Sequence, residues 1–344
     1  VIVVIADDLA GAAEMGGMAL RHGLAAEVRT GDGVGAEGDV KGVDALVIDT
    51  NTRSCPPEEA ARRVASVAAR CRTWGATLIY KKVDSVLRGP VAAELAALLE
   101  AWSRERCLLV PANPGLGRVI SGGRYLVQGT PLHETDFALD PEYPATTSDV
   151  VGILGTAGSW PVRVAQAGEG TRGRGIFVGE AMSGADLDSW TSALDTHTLP
   201  AGASEFFAAF LRSIGHPPIG AAGLEGEPDR AMTDLYVCGS TSASSRAFCR
   251  RCEVRGIPVL RMPAVLLGTG PSSRQWVHEW ADSCASTLES QRRAMIAIDR
   301  PLCRETGMPQ ILSGYLSAAV EWVLGRVTVD RLYLEGGATA VAVV

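Results

Sequence analysis

Nowhere in its 344 residues does the chain carry an apolar run close to the ~20 residues that a membrane-spanning helix needs. The apolar opening VIVVI runs straight into Asp7 and Asp8, which makes it a buried strand rather than a leader peptide. Positive charge is also in short supply: 32 Lys and Arg stand against 39 Asp and Glu, a net charge of −7. A non-specific nucleic-acid binder needs a basic face for phosphates, so that class is excluded. Any anionic ligand must instead be met by a local cluster of cations. Cysteines are scattered at 55, 71, 107, 238, 249, 252, 284 and 303 without framework spacing, the pattern of reduced thiols in a cytoplasmic protein. The single CxxC, Cys249 to Cys252, lacks a second pair and falls in a helical pattern, so it reads as structural. There is no Walker A sequence, no internal repeat and no low-complexity tract. The chain lacks an initiator Met and stops soon after GGATA, and both ends are expected to be trimmed.

What is present is an ordinary globular composition, 47% hydrophobic and 21% charged, in a chain long enough for two domains. Short β-branched runs at 1–6, 25–30, 44–49, 77–82 and 107–112 alternate with Ala-rich helical patterns at 9–22, 57–73 and 90–103. Such alternation predicts a parallel sheet covered on both faces. Residues 113–150 read as a long ordered loop system, VVGILGT (150–156) and GIFVGEA (175–181) as strands, and 185–194 and 204–214 as helices. HPPIGAAGLEGEPDR is rich in Gly and Pro and poor in apolar content, the signature of a linker. A second block follows, with strands at DLYVC, 257–262, 295–299 and RLYLE and helices near 272–290 and 309–325. The expected fold is α/β with two domains, each a mostly parallel sheet flanked by helices: residues 1–220, a linker at 221–231, and residues 232–344.

Ligands gather at the carboxyl ends of parallel strands, and three charged clusters fall at such ends. They are Asp7-Asp8, then Asp49 to Arg53, then Lys81-Lys82-Val83-Asp84-Ser85 with Arg88 and Gly89. Lys81, Lys82, Arg53 and Arg88 suit a carboxylate or phosphate. The aspartates would repel that group, so they need another partner: sugar hydroxyls, Mg²⁺ or a proton from an attacking hydroxyl. A small polyhydroxylated acid satisfies both halves. The competing reading is a set of structural ion pairs at a solvated sheet edge.

Other motifs weigh less. Gly33 to Gly38 satisfies GxGxxG, but no amphipathic helix opens from it, so a nicotinamide-dependent dehydrogenase lacks its nucleotide mechanism. The turns Cys238-Gly239-Ser240-Thr241-Ser242 and Gly336-Gly337-Ala338-Thr339 each follow a strand, where small residues permit close backbone approach to phosphate. Either is also compatible with a plain tight turn. His133, in a loop, is expected to hydrogen-bond locally rather than act in catalysis, and the remaining histidines show no metal spacing.

Taken together, IADDLAGAAEMGG, DTNTR, KKVDSVLRGPVAAEL, PANPGLGR, PLHETDFALDP, the stretch from ADLDSW to LPAGASEFFAAF, CGSTSASSRAF and EGGATA resemble, in order, the four-carbon acid sugar kinase family. The resemblance spans nearly the whole chain. It implies an N-terminal acid-sugar-binding domain, a C-terminal nucleotide-binding domain and an active site in the interdomain cleft. ATP with Mg²⁺ would phosphorylate the terminal 4-hydroxyl of threonate, erythronate or 3-oxo-tetronate. Asp7, Asp8, Arg53, Lys82, Asp84, Ser85, Arg88 and Gly89 would form the acid-sugar pocket, with Asp8 or Asp84 as catalytic base. Gly202, Ser204, Ser240, Gly336, Gly337 and Thr339 would surround ATP. Three departures stand out: Val86 replaces the usual Thr, Ala338 replaces an acidic residue, and SSRAF lacks the usual Thr and Gln. The second of these favours an alternative, a relative that binds a sugar acid without phosphorylating it. Exposed helices on such a domain would permit a homodimer.

Overall fold

Short runs of apolar side chains separated by polar turns set up two parallel sheets, each flanked by helices. The computed structural model describes residues 1–30, 42–140, 142–220, 232–267, 273–299 and 308–343, and the chain divides into two units, Val1–Leu224 and Glu225–Val344. The expected linker at 221–231 and the glycine motif at 33–38 lie outside the described residues.

In the first unit the expected alternation is realised as β1 (Ile2–Ala6), α1 (Leu9–Arg21), β2 (Ala26–Thr30), β3 (Ala45–Asp49), α2 (Pro57–Thr73), β4 (Leu78–Lys82), α3 (Val91–Ala101) and β5 (Arg106–Val110). There follow β6 (Arg118–Ser121), β7 (Arg124–Val127), β8 (Thr130–Pro131), α4 (Val150–Leu154), β9 (Val162–Ala165), β10 (Gly175–Gly179), α5 (Gly184–Thr191), β11 (Thr198–Gly202) and α6 (Ser204–Ser213). Eight strands form one sheet in the order β2-β3-β1-β4-β11-β5-β10-β9, every pairing parallel.

Strand alternation divides the core into two layers. Val3, Ile5, Leu46, Ile48 and Leu109 face α2 and α3, meeting Val64, Ala68, Leu95 and Leu98. Ile2, Val4, Val47, Tyr80 and Val110 face α1, α5 and α6, meeting Met15, Ala19, Trp190 and Phe207. The Tyr80 ring lies 4.8 Å from that of Phe207, and its hydroxyl donates to the Ala203 carbonyl at 2.9 Å. That bond satisfies the one polar atom of a fully buried side chain and ties α6 to the sheet.

Three expectations need correction. Residues 150–156 are not a strand: Asp149 caps a short helix by accepting from Gly152 N at 2.7 Å, and Gly155 ends it at φ 66. A short apolar run does not distinguish strand from helix, and here the cap decides. Residues 113–150 are not merely loop but hold the antiparallel sheet β6-β7-β8. Gly122 and Gly123, with φ 57 and 71, form its first two-residue turn, and Gln128 and Gly129, with φ 50 and 83, form the second. Strand β11 was not anticipated at all. Its sequence TLPAG is poor in β-formers, yet a Cβ at Gly202 would run into the Val110 carbonyl, so glycine is what lets it wedge between β4 and β5.

The second unit contains β12 (Asp234–Cys238), α7 (Ala243–Val254), β13 (Val259–Arg261), α8 (Ser273–Gln291), β14 (Arg293–Ala297), α9 (Met308–Leu324), β15 (Arg331–Glu335) and α10 (Gly337–Val343). Its strands pair in the order β13-β14-β12-β15, all parallel. Leu235, Val237 and Ile296 pack on Val277, Trp280, Leu316 and Val320 of α8 and α9. Cys249 and Cys252, on the inner face of α7, are buried against Cys238 and Met295 of the sheet, in keeping with a structural CxxC.

Candidate functional site

Strand β1 lies between β3 and β4, with Ala6 opposite Asp49 and Ile5 opposite Lys81, so the three charged clusters meet at one sheet edge. The helix after β1 covers one face while α2 and α3 cover the other. Helices on opposite faces after neighbouring strands are the arrangement in which open parallel sheets usually take their ligands.

Asp8 is the N-cap of α1, accepting from Gly11 N at 2.8 Å through Oδ1. A Cβ on Gly11 would sit 2.7 Å from that oxygen and 3.3 Å from Lys82 Nζ, so glycine keeps the capped turn close to the lysine. The Arg53 guanidinium bridges both aspartates, Nε to Asp7 Oδ2 at 2.8 Å and one terminal nitrogen to Asp8 Oδ2 at 2.6 Å. Its other terminal nitrogen lies 3.8 Å from Asp84 Oδ1. Gly89, at φ 87, brings the β4 turn against Arg53, where a Cβ would be 3.0 Å from the Arg53 carbonyl oxygen.

Asp84 is locked. Arg88 donates to it through Nε at 3.0 Å and a terminal nitrogen at 2.8 Å, and the amides of Val86 and Arg88 each donate at 3.1 Å. Burial pushes the Asp84 carboxyl up, but the Arg88 hydrogen bonds and the charges of Arg88 and Arg53 outweigh it and hold the carboxyl at about 2. The remaining Arg88 nitrogen donates to Asp140 Oδ2 at 3.0 Å, and the Tyr143 hydroxyl donates to the Arg53 carbonyl. Arg118 donates to the Ser85 hydroxyl and Tyr125 to the Ser85 carbonyl. The 113–150 segment thus braces the pocket from outside. Val86 packs into the core beneath it, so the missing Thr hydroxyl belongs to a buried position.

The two lysines part company, as alternation on a strand requires. Lys82 Nζ donates to the Val83 carbonyl at 3.0 Å and lies 3.4 Å from Glu14, on the α1 side. Lys81, read from sequence as a second ligand cation, is fully buried and ion-paired with Glu94 of α3 at 2.9 Å. Asp49 is buried too, accepts from Asn51 N at 2.7 Å, and has its carboxyl pushed up by burial. His133 bonds locally to Ser148 at 2.7 Å, as expected.

Gly202 and Ser204 belong to this unit. Gly202 pairs with Lys82 and its carbonyl accepts from Val83 N at 3.1 Å, while buried Ser204 opens α6. The other expected nucleotide residues lie in the second unit, where Ser240, Gly336, Gly337 and Thr339 converge at the ends of β12 and β15. A Cβ on Gly239 would overlap the Thr339 hydroxyl, and one on Gly336, at φ 103, would lie 3.1 Å from it. Glu335 anchors the loops, accepting from Ser245 at 2.6 Å and from the Cys238 thiol at 3.1 Å. The side chain of Ala338 lies outside the described residues.

Sequence reading missed Arg118, Asp140, Tyr143 and Glu94 as neighbours of the pocket. Only Glu94 had a signal, an acid on the apolar stripe of α3 between Val91, Leu95 and Leu98. Among the described residues, no group of three or more His, Cys, Asp and Glu is placed to hold a metal ion, and no helix is long and apolar enough to cross a membrane.

Comparison with known proteins bears on the family. The family described as "Sugar-binding N-terminal domain" matches residues 2–209. A D-threonate kinase from Salmonella typhimurium is 28% identical over 99% of this chain and 85% of its own length. A 3-oxo-tetronate kinase from Pseudomonas fluorescens is 27% identical over 99% of this chain and 84% of its own. Among solved structures, a Bordetella bronchiseptica domain-swapped dimer with bound citrate matches at TM-score 0.56 and 26% identity, covering 99% of this chain and 84% of that one. A Salmonella typhimurium structure shares the fold at TM-score 0.81 and 19% identity, covering 99% and 87%. The chain belongs to the four-carbon acid sugar kinase family.

Proposed function

We propose that the protein transfers the γ-phosphoryl group of ATP to the terminal 4-hydroxyl of threonate, erythronate or 3-oxo-tetronate. The carrying observation is the unbroken alternation Asp7–Arg53–Asp8 and Arg53–Asp84–Arg88 at three adjacent strand ends, extended by Asp140 from the 113–150 segment. An acid sugar presents one anionic group and several hydroxyls, and this arrangement offers fixed cations and fixed acceptors at matching close range. Citrate in the Bordetella relative is a hydroxy acid of similar character.

The two candidate bases differ in freedom. Asp84 is spoken for by Arg88 and two amides, and a carboxyl held at about 2 is a weak proton acceptor. It acts by orienting Arg53 and Arg88. Asp8 is the more accessible of the two, its side chain 22% exposed against 8% for Asp84, and it is the residue we assign to take the hydroxyl proton. Lys82, which donates to the Val83 carbonyl at 3.0 Å and lies 3.4 Å from a half-exposed Glu14, is the cation we assign to the sugar carboxylate or the transferring phosphoryl group. Arg53 holds Asp8 in place, so the attacking oxygen is oriented before transfer.

In the second unit, the amides of the Gly239-Ser240 and Gly336-Gly337 turns are the groups that would approach the nucleotide phosphates. Mg²⁺ usually keeps several waters and binds through one or two carboxylates plus the phosphates themselves. Brought in on the nucleotide, the ion would offset phosphate charge. The dimer reported for the Bordetella relative supports a homodimer here, and eight scattered cysteines support residence in the cytoplasm. ADP release from ATP and Mg²⁺ by the full-length protein, measured across threonate, erythronate and 3-oxo-tetronate, tests the reading. Turnover with at least one is expected. Saturable tetronate binding without ADP release would replace it with the non-phosphorylating alternative.

A further inference from the structure

Beneath these strand ends lies a buried polar link from α3 to the turn after β3 and to the end of β4. Glu94 and Lys81 have side chains 1% and 0% exposed and pair at 2.9 Å. The same Glu94 carboxylate accepts from the Thr52 hydroxyl, whose oxygen lies 2.8 Å from that of Thr50, and Thr50 donates to the Ala6 carbonyl at 2.8 Å. Lys81 also donates to the Lys82 carbonyl at 2.9 Å. One carboxylate on α3 therefore holds the residue before Arg53 and the residue before Lys82.

A stability role alone does not account for this arrangement. Burying an ion pair gives little or no net gain over apolar residues of the same shape, and Val91, Leu95 and Leu98 show that α3 is otherwise apolar here. What the pair adds is direction. The 50–53 turn has two main-chain bonds to the Asp7 carbonyl, from Thr52 N at 2.9 Å and Arg53 N at 3.1 Å. These fix its height above β1. The Thr52 side chain fixes its rotation, and with it the angle at which the Arg53 fork reaches Asp7 and Asp8.

We infer that Glu94 is the positioning residue of the acid-sugar site, setting the Arg53 turn through Thr52 and the Lys82 backbone through Lys81. It touches no substrate. The inference rests on the acid-sugar reading above.

Steady-state kinetics of the full-length protein test it, with the variants Thr52→Val, Thr52→Ser, Glu94→Gln and the double Thr52→Val/Glu94→Gln, alongside thermal melts. Thr52→Val removes one hydroxyl and leaves the ion pair, so it remains informative even where Glu94→Gln lowers stability too far for assay. Losing one hydrogen bond to a charged group predicts a rise of about tenfold in KM for the acid sugar, with kcat changed less than about threefold. Thr52→Ser restores KM to near the wild-type value. The double variant raises KM no further than the worse single one, because both cut the same link. Lower melting temperatures with KM unchanged in Thr52→Val and Glu94→Gln would leave a structural role only and overturn the inference. Wild-type turnover keeps that failure distinct from failure of the kinase reading. A wild type that turns over no tetronate removes both.

Discussion

The ends of β1, β3 and β4 in the first unit and the ends of β12 and β15 in the second are the same kind of place in the same kind of sheet, built by opposite means. In the first, long charged side chains reach across strands and brace one another, so that Arg53 alone meets three aspartates. In the second, space is made by leaving side chains out: Gly239 and Gly336 lie so close to Thr339 that a Cβ at either would crowd its hydroxyl. A side-chain site reads the pattern of hydroxyls and charge on a small ligand. A backbone site reads phosphate, which every nucleotide presents alike.

The sharpest way to probe the contrast is Asp8→Asn. The substitution keeps an oxygen for the Gly11 cap but removes the proton acceptor, and kcat is expected to fall about 10²–10⁴-fold while ATP affinity holds. A decrease below tenfold would move the base elsewhere. The complementary change, Gly239→Ala, acts by overlap instead of charge. Overpacking of this kind costs about 1–3 kcal/mol. KM for ATP is expected to rise about tenfold while KM for the acid sugar stays within about twofold. A rise in the acid-sugar KM of equal size would erase the division of labour between the two sites.

A smaller effect belongs to stability. The folded Asp84 carboxyl, at about 2, lies below its ordinary 3.8, so its contribution is full above about pH 4 and is lost as pH falls towards 2. The difference corresponds to about 2 kcal/mol. Chemical denaturation of wild type and Asp84→Asn should therefore differ by about that amount near neutrality and converge below about pH 3. Curves that stay parallel to pH 2 would mean that Arg88 does not hold the carboxylate as the geometry indicates.

Much of this could be read from residues alone, for identifiable reasons. Strand-helix alternation through β5 is strong because both layers of the core are apolar, and parallel pairing then brings Asp8, Arg53 and Asp84 to one edge with no further information. The Gly122-Gly123 turn was also legible, since two glycines between short polar-apolar runs signal a hairpin, but the surrounding Pro and Gly residues masked it. Strand β11 was not legible: TLPAG pairs because of what flanks it in space, not because of its own propensity. Asp140 and Tyr143 reach Arg88 and Arg53 from 52 and 90 residues away, a proximity that local pattern does not encode. The separation of Lys81 from Lys82 followed from strand alternation, and the sequence reading overlooked it.

Calorimetric titration of the turned-over tetronate into wild type and Arg53→Ala, without nucleotide, tests the central claim most directly. Removing the guanidinium takes away a cation and leaves Asp7, Asp8 and Asp84 facing the ligand uncompensated. Affinity is predicted to fall about 10–100-fold, the value of a hydrogen bond to a charged group, in a variant that still melts cooperatively. An affinity within about twofold of wild type would show that the acid sugar is bound somewhere other than the ends of β1, β3 and β4.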